Sequence, residues 1–597
     1  IVTRAAEIMS SSPFVQQAAA ESQPQSQSQS QSQSLYEKNA AKVTADASGT
    51  DSEIEKEEAQ NGVKKIQAIT TAWTWRALIL TCILIWITSY THSMQQQMNS
   101  NLAPYVTSSF CRSGLTATTG IVSGLAGGVS QLPLAKILNI FGRMEGYMLA
   151  HLLCCFGLIL MAVCSNVETY AAAQVFWAVG SGGIGYIHHT VLISDTTSIR
   201  NRMIIHTLNS TAYIANAFAG PVVAQLFERN STWRWAFGSF AIIFPVFGCL
   251  ITVMLWWNLR KATRLGQGPE LKESGRTFQE SLMFYCREFD IVGMFLIMFG
   301  FSLFLLPFSL VSYTAKKWAA GHIIATIILG IFCLVLFGFW ERKYASTSLV
   351  PWINLKDRTS LGSAAVAGII SLSFSSWDSY FSSYLQVVHR QSLAQAGFIG
   401  NIYTIASCTW GPIVGVLIRQ TNHFKWIACA AIPVACLSTG LLIHFRTPDT
   451  YIGYVIMCQI LKAVSAGTII ICEQLAVMSV VKHNEVTVML ALVGLATSVG
   501  RSVGRAISGA IWTNEFLDFL VKYLPGDTKG EALTIYGDIK VQLSYPWGSP
   551  ARDGIVHAYG GVQRHMVICG AAFMPLALGC VLWKNINVAK VHQTKGQ

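Results

Sequence analysis

From near Ala72 onward, fourteen apolar windows follow one another along this chain. Each is long enough to cross a hydrocarbon core of about 30 Å at about 1.5 Å of rise per residue. They cover approximately 77–97, 117–139, 146–164, 168–193, 203–227, 236–258, 290–311, 319–340, 361–386, 394–417, 426–445, 451–477, 487–512 and 565–583, spans 1 to 14 in order. In lipid the backbone must satisfy its own polar groups, and windows of this length do so as helices. Composition agrees, with 52% hydrophobic and 12% charged residues, against roughly 25% charged in soluble domains. A soluble multidomain enzyme, a disulfide-rich secreted chain, a collagen and a wholly disordered chain are excluded. The expectation is an all-α membrane protein.

An even number of spans puts both termini on one side, and Lys/Arg placement says which. Connections after odd spans hold few basic residues: Arg112, Arg229, Arg234, Lys316, Lys317, Arg390 and Arg446. Those after even spans are richer, with Lys136, Arg143, Arg200, Arg202, then Arg260, Lys261, Arg264, Lys272, Arg276 and Arg287, and later Arg342, Lys343, Lys356, Arg358, Arg419, Lys425 and Lys482. Both ends are expected in the cytosol and the connection 514–564 outside. The formal net charge of +12 is spread over these short connections, which disfavours nucleic acid as a partner and suits a bilayer. Residues 1–71 form a polar tail with a QSQSQSQS tract and an acidic run from Asp51 to Glu58, expected to be disordered and cytosolic. No cleavable signal peptide is expected in that tail, and Met9 is a candidate start. The fifteen Cys include no CxxC pair and most lie inside apolar stretches, where packing is the expected role.

Span 2 ends in Ala135-Lys136-Ile137-Leu138-Asn139-Ile140-Phe141-Gly142-Arg143. This resembles the loop signature of the major facilitator superfamily, with its Gly-Arg end intact and Asn139 and Ile140 in place of the usual acidic and basic residues. Ala219-Gly220-Pro221 in span 5 is similar to the core of that superfamily's antiporter motif, without its surrounding glycines. More specific are Asn101-Leu102-Ala103-Pro104-Tyr105, Ile193-Ser194-Asp195 with Arg200-Asn201-Arg202, Thr232-Trp233-Arg234-Trp235, Gly504-Arg505-Ala506-Ile507-Ser508-Gly509 and Tyr545-Pro546-Trp547-Gly548-Ser549-Pro550. Together these resemble the fungal siderophore-iron transporter family from span 1 to span 14. The resemblance implies a major facilitator fold: fourteen transmembrane helices, as two six-helix bundles plus two extra helices, 7 and 8. The corresponding regions are the tail 1–71, a first bundle 72–258, a cytosolic linker 259–289, the inserted pair 290–340, a second bundle 341–583 containing the outer connection 514–564, and a cytosolic tail 584–597. It further implies proton-coupled import of ferric siderophores, mostly hydroxamates; a cousin family handles glutathione or haem.

In that plan the first helix of each three-helix repeat lines the central cavity, so spans 1, 4, 9 and 12 should carry the unusual polar groups. Span 1 ends in His92, Gln95, Gln96 and Asn99; span 4 holds Trp177, Tyr186, His188 and His189. Span 9 reads Ser375-Ser376-Trp377-Asp378-Ser379-Tyr380-Phe381-Ser382-Ser383-Tyr384. Trp377, Phe381 and Tyr384 fall at i, i+4 and i+7, an aromatic stripe that suits core packing or, among serines, a bulky amide-rich ligand. Span 12 carries Lys462 and Glu473, on one face at about 100° per residue.

An ionisable side chain facing lipid costs at least about 2.5 kcal/mol, so Asp378, Lys462 and Glu473 are expected to point inward. They are candidates for proton coupling, with Asp195 and His189; for Glu473 and Asp195 an ion pair between or at the ends of helices is an equal reading. Tyr545, Trp547 and Tyr559 in the long outer connection are candidates for an extracellular gate. Substrate contacts are assigned to His92, Gln95, Gln96, Asn99, Trp177, Tyr186, Trp377, Tyr380, Phe381 and Tyr384.

Gly180-Ser181-Gly182-Gly183-Ile184-Gly185 satisfies a dinucleotide-binding pattern but lies within an apolar helix, where it marks close packing. No phosphate-binding loop and no pairing of nucleophile with base is present, so neither ATP-driven transport nor enzymatic chemistry is expected. No carboxylate or His cluster is arranged to strip iron, so no metal site and no cofactor are expected. A ferric trihydroxamate balances its own Fe(III), and iron travels as part of the substrate. The function expected is a secondary active importer of ferric siderophores by proton symport with alternating access. Its partners are the chelate, protons and the lipid bilayer, in the plasma membrane or an endosomal one. An exporter of drugs or glutathione, a haem importer on the same fold, and a non-transporting sensor or receptor stand as alternatives.

Overall fold

The computed structural model describes Lys65 and residues 75–110, 115–188, 199–265, 277–311, 314, 316–345, 356–480 and 486–586. The expected tails, apart from Lys65 and residues 584–586, lie outside the described residues, as do His189, Asp195 and positions 266–276 of the linker.

Fourteen helical passes are traced among the described residues. The first six are α1 (Trp75–Ser109), α2 (Thr116–Val129) continued by α3 (Gln131–Ile140), α4 (Arg143–Val163), α5 (Val167–Tyr186), α6 (Ile199–Asn230) and α7 (Trp233–Arg264). A short α8 (Phe278–Glu288) precedes the inserted pair, α9 (Ile291–Leu310) and α10 (Gly321–Lys343). The ninth pass is divided into α11 (Arg358–Asp378) and α12 (Phe381–His389); α13 (Leu393–Thr421), α14 (Lys425–Phe445), α15 (Ile452–Val480) and α16 (Val486–Tyr523) follow. Two one-turn helices, α17 (Ala532–Gly537) and α18 (Ile539–Ser544), lead to the last pass, α19 (Pro550–Phe573), which tightens into a 3-10 segment at Met574–Leu582. Ten helices are long and apolar enough to cross a membrane by themselves. The four other passes, α5, α6, α16 and α19, are more polar and depend on protein neighbours for cover.

Helix starts follow the sequence. Asn166 accepts from Thr169 N at 2.7 Å at the head of α5, and Ser392 and Gln395 form a reciprocal capping box at the head of α13. A cap of this kind contributes about 1 kcal/mol by satisfying an N–H that has no helical partner. Ser549 caps α19, with Pro550 at the first helical position where its missing N–H costs nothing.

Two departures from the sequence reading have local causes. The ninth pass is not one helix: Ser379 and Tyr380 form a turn between α11 and α12. The Ser376 hydroxyl donates to Leu372 O at 2.8 Å and that of Ser379 to Ser375 O at 3.2 Å, back-bonding that bends helices. Gln563 Nε2, on α19, takes up the Tyr380 carbonyl at 3.4 Å. The outer connection is also shorter than the expected 514–564, because α16 runs on to Tyr523 and α19 starts at Pro550. Hydropathy sees only the lipid-facing slab; at these helix ends Arg552, Tyr559 and Gln563 are covered by protein, while Asn514, Asp518 and Lys522 are exposed.

In the first half α1 packs on α6 and α7, and α4 on α5 and α7; in the second, α11 packs on α16, α14 on α15, and α13 on α15. Glycines allow the closest of these contacts: a Cβ on Gly500 would stand 2.0 Å from the Gly368 carbonyl oxygen, and one on Gly180 2.4 Å from Cys154 N. The halves meet where α2 lies on α16 and α6 on α13. The inserted α9 packs against both α2 and α16, with Leu305 and Phe301 beside Val499 and Val503.

Candidate functional site

In the first half, the polar residues of α1 and α5 bond one another across a seam. His92, 1% exposed, shares a 2.9 Å hydrogen bond with Ser181 Oγ, and Gln96 Nε2 donates to the same oxygen at 3.2 Å. Trp177 Nε1 donates to Gln95 Oε1 at 2.7 Å, and Gln174 Nε2 to Asn99 Oδ1 at 2.8 Å. His188 is enclosed by Thr88, Ser89 and Tyr147, each within 3.3 Å. Gln96, Trp177 and Tyr186 are half-buried, so this seam presents amide and aromatic edges beside a paired interior.

In the second half the aromatic stripe is brought together, around a cation of the protein itself. Arg446, just beyond α14 and fully buried, holds its guanidinium carbon 4.9, 4.4 and 5.2 Å from the ring centres of Trp377, Phe381 and Tyr384. Its Nη2 reaches the Trp377 carbonyl at 3.5 Å. Tyr380 stacks on Trp512 with centroids 4.1 Å apart. All four aromatic side chains are shut off from solvent here.

Asp378, at the end of α11, is half-buried and lies in the electrostatic field of Arg446, Arg501 and Arg505. Tyr403 of α13 feels Asp378, Glu473 and Arg501 together, and packs on Phe374 with ring centres 4.8 Å apart. Glu473 is 4% exposed, with Oε2 lacking a hydrogen-bond partner among the described residues. Lys462 stands apart: it is fully buried, with Nζ donating to Thr439 Oγ1 at 2.8 Å and lying 3.6 Å from Met574 Sδ. Thus α11, α13, α15 and α16 bring Asp378, Tyr403, Glu473, Arg501 and Arg505 to one place, Arg446 enters from the end of α14, and Lys462 is directed elsewhere.

Bonds between the halves gather toward the end where α1, α6, α12 and α16 finish. Tyr105 Oη donates to Gln386 Oε1, Ala394 N to Gln225 Oε1 at 3.2 Å, Asn401 Nδ2 to Ala217 O at 2.9 Å, and Arg505 Nη1 to Gly120 O at 2.5 Å. The connection 524–549 covers this end. Ile539 N donates to Ser108 Oγ at 3.2 Å and Lys540 pairs with Glu228 at 2.9 Å, both in the first half. Its Gln542 side chain accepts from Tyr559 Oη at 2.7 Å, and Arg552 donates both to Gln542 O and to Val387 O, in the second half. Tyr545 donates to Glu531 at 2.6 Å, and keeping that proton beside a carboxylate pushes its phenol up to about 12. Trp547, 47% exposed, lies under the Arg390 guanidinium at 3.7 Å.

A separate cavity of about 660 Å³ sits between α13, α14 and α15, lined by Trp410, Trp426, Val464 and Thr468 among others; none of the residues assigned from sequence lines it. Among the described residues no cluster of three or more His, Cys, Asp or Glu could hold a metal ion. Arg446, Tyr403 and Gln386 were not singled out from sequence. Arg446 stands at the boundary of span 11 and reads there as a connection residue; the stripe of aromatics, two spans earlier in the chain, does not reveal which cation it encloses.

The sequence model of the Major Facilitator Superfamily matches residues 81–369. The chain is 44% identical over 541 residues to MFS siderochrome iron transporter 1 of Ajellomyces capsulatus, covering 90% of this chain and 92% of that one. It is 38% identical to Siderophore iron transporter mirB of Emericella nidulans, covering 92% and 91%. Among solved structures it is similar in fold to a peptide transporter, POT, in complex with sulfate, with a TM-score of 0.53 at 12% identity over 85% of this chain and 96% of that one.

Proposed function

The chain belongs to the major facilitator superfamily and, within it, to the fungal siderophore iron transporters, and from that premise we propose that it imports ferric siderophores of hydroxamate type by proton symport with alternating access. It is a multi-pass membrane transporter of the kind its relatives' names describe. In this reading both termini face the cytosol, the membrane is the plasma membrane, and the end covered by 524–549 faces outward. Bonds such as Tyr105–Gln386 and Arg505–Gly120 then close the outer mouth, and release of the chelate is toward the cytosol.

The observation that carries proton coupling is Glu473. A carboxyl 4% exposed, with an oxygen unbonded among the described residues, is held at much lower cost protonated than charged. Asp378, less than one helical turn from the break in the ninth pass, lies in the field of Arg446, Arg505 and Arg501. Two acids on neighbouring helices, one beside arginines and one without a bonded partner among the described residues, can hold and hand on a proton as the halves rock. Gln96, Trp177 and Tyr186 offer the chelate a neutral rim; Gln95 holds Trp177, Gln96 shares the Ser181 hydroxyl with His92, and Asn99 pairs with Gln174 behind them. The chelate keeps its iron throughout, and no protein ligand to iron is invoked.

The test is net uptake of a radioiron-labelled ferric trihydroxamate by vesicles containing the chain, with acid outside. Accumulation that a protonophore abolishes is the expected result. Accumulation unaffected by a protonophore would remove the coupling; efflux would select export, and binding without flux a receptor.

A further inference from the structure

Resting on the reading that the cargo is a ferric siderophore, we infer that Arg501 is the residue that recognises an anionic group on it, so that the preferred substrates are ferric chelates carrying free carboxylates rather than neutral ones.

The direction in which Arg501 points follows from its neighbours on α16. Gly500 and Gly504 press on the α11 backbone at Gly368 O and Leu372 O, while Ser502 and Arg505 bond the α2 carbonyls of Ile121 and Gly120. Val499 and Val503 lie against Phe301 and Leu305 of the inserted α9. At about 100° per residue, Arg501 leaves the helix between the α11 and α2 faces, opposite the valines and away from α9. That is the centre of the molecule, where Asp378, Tyr403 and Glu473 all lie.

The charges there do not balance. Three guanidiniums, Arg446, Arg501 and Arg505, act on one carboxyl, Asp378, while Glu473 meets the cluster through Tyr403. Two of the three are committed: Arg446 is fully buried within three rings, and Arg505 holds Gly120 O across the halves. Arg501 is exposed and has no hydrogen bond or ion pair among the described residues. A guanidinium kept at membrane depth without a bonded partner is costly unless water or a ligand meets it, and its planar fork suits a carboxylate. The α1–α5 seam of the first half presents neutral amide and aromatic groups, which suit the amide ribs of the same molecule.

The experiment compares two cargos with one iron centre: a neutral ferric trihydroxamate and its analogue with three free carboxylates on the acyl arms. Uptake of each, radioiron-labelled, is measured at fixed pH for the full chain, Arg501→Gln and Arg501→Lys, normalised to surface expression. The parent is expected to show the lower KM for the carboxylate analogue. In Arg501→Gln the ratio of the two KM values should shift against that analogue by about tenfold to a hundredfold, the scale of a lost charge-assisted hydrogen bond. Arg501→Lys should return much of it. If Arg501→Gln weakens both cargos equally, Arg501 serves Asp378 and the inference is overturned, as it is if the parent prefers the neutral chelate. If the parent carries neither cargo, the transport reading fails and takes the inference with it.

Discussion

Arg505 reaches from one half of the molecule to the other, its Nη1 donating to the carbonyl oxygen of Gly120 at 2.5 Å, while Ser502 Oγ, one turn earlier, donates to Ile121 O at 3.3 Å. These bonds use backbone acceptors on α2, so they depend on how closely α16 approaches rather than on a second side chain. Replacing Arg505 by Gln should loosen the covered end. A cysteine introduced at Ser108, in a cysteine-depleted background, is then expected to react several times faster with a membrane-impermeant maleimide. An unchanged rate would mean the bond does not hold that end shut.

The contact of α16 with α11 makes a sharper claim about stability. A Cβ at Gly500 would meet the Gly368 carbonyl oxygen at 2.0 Å and its carbon at 2.7 Å, both backbone atoms that cannot step aside. Gly500→Ala should therefore cost at least about 1–3 kcal/mol by overpacking. Gly400→Ala, where nothing lies within 4 Å, should leave the melting temperature of the detergent-solubilised protein almost unchanged.

Arg446 gives a third prediction. Truncation to Ala empties a fully buried volume and removes the cation from three rings, a loss of about 2–5 kcal/mol by analogy with other large buried side chains. Arg446→Met refills most of the volume and should recover part of the thermal stability, though not the positive field at Asp378. Equal melting temperatures for Ala and Met would show that filling the site contributes little.

For the acids, Glu473→Gln removes the charge while keeping the shape of a group whose Oε2 has no partner to lose among the described residues. Folding and chelate exchange across the membrane should survive, and accumulation against a gradient should fall to background. Asp378→Asn is expected to behave likewise. Lys462→Met, at a side chain bonded to Thr439 and away from both acids, should retain accumulation; its loss there would bring Lys462 into the coupling.

At the covered end, Tyr545→Ala and Trp547→Ala break the contacts with Glu531 and Arg390. Uptake at low chelate concentration should weaken while surface expression stays normal. An unchanged apparent affinity would take these residues out of the gate.

Much of this architecture is written in the hydropathy of the chain, because lipid tolerates so few alternatives: the passes and the two inserted helices are found in order, although α1 runs on to Ser109, past the expected end of span 1. The ends of α16 and the beginning of α19 are not, since His565, Gln563 and Tyr559 look like loop residues until the neighbours that cover some of them are known. At the site, sequence identifies which residues are unusual for a membrane and leaves open what each one meets. Trp377, Phe381 and Tyr384 read equally as a ligand platform or as packing, and only the fold supplies Arg446 to enclose. Lys462 and Glu473 share a helix face by arithmetic, yet different neighbours, Thr439 for one and Tyr403 for the other, separate their environments.

The one-turn helix Ile539–Ser544 is tied to Ser108 and Glu228 on one side and, through Gln542, to Arg552 and Tyr559 on the other. Any exposure of the vestibule at that face must tear this fastening from at least one of its anchorages. An antibody fragment that clasps the fastening in its present shape would therefore arrest turnover without competing for cargo.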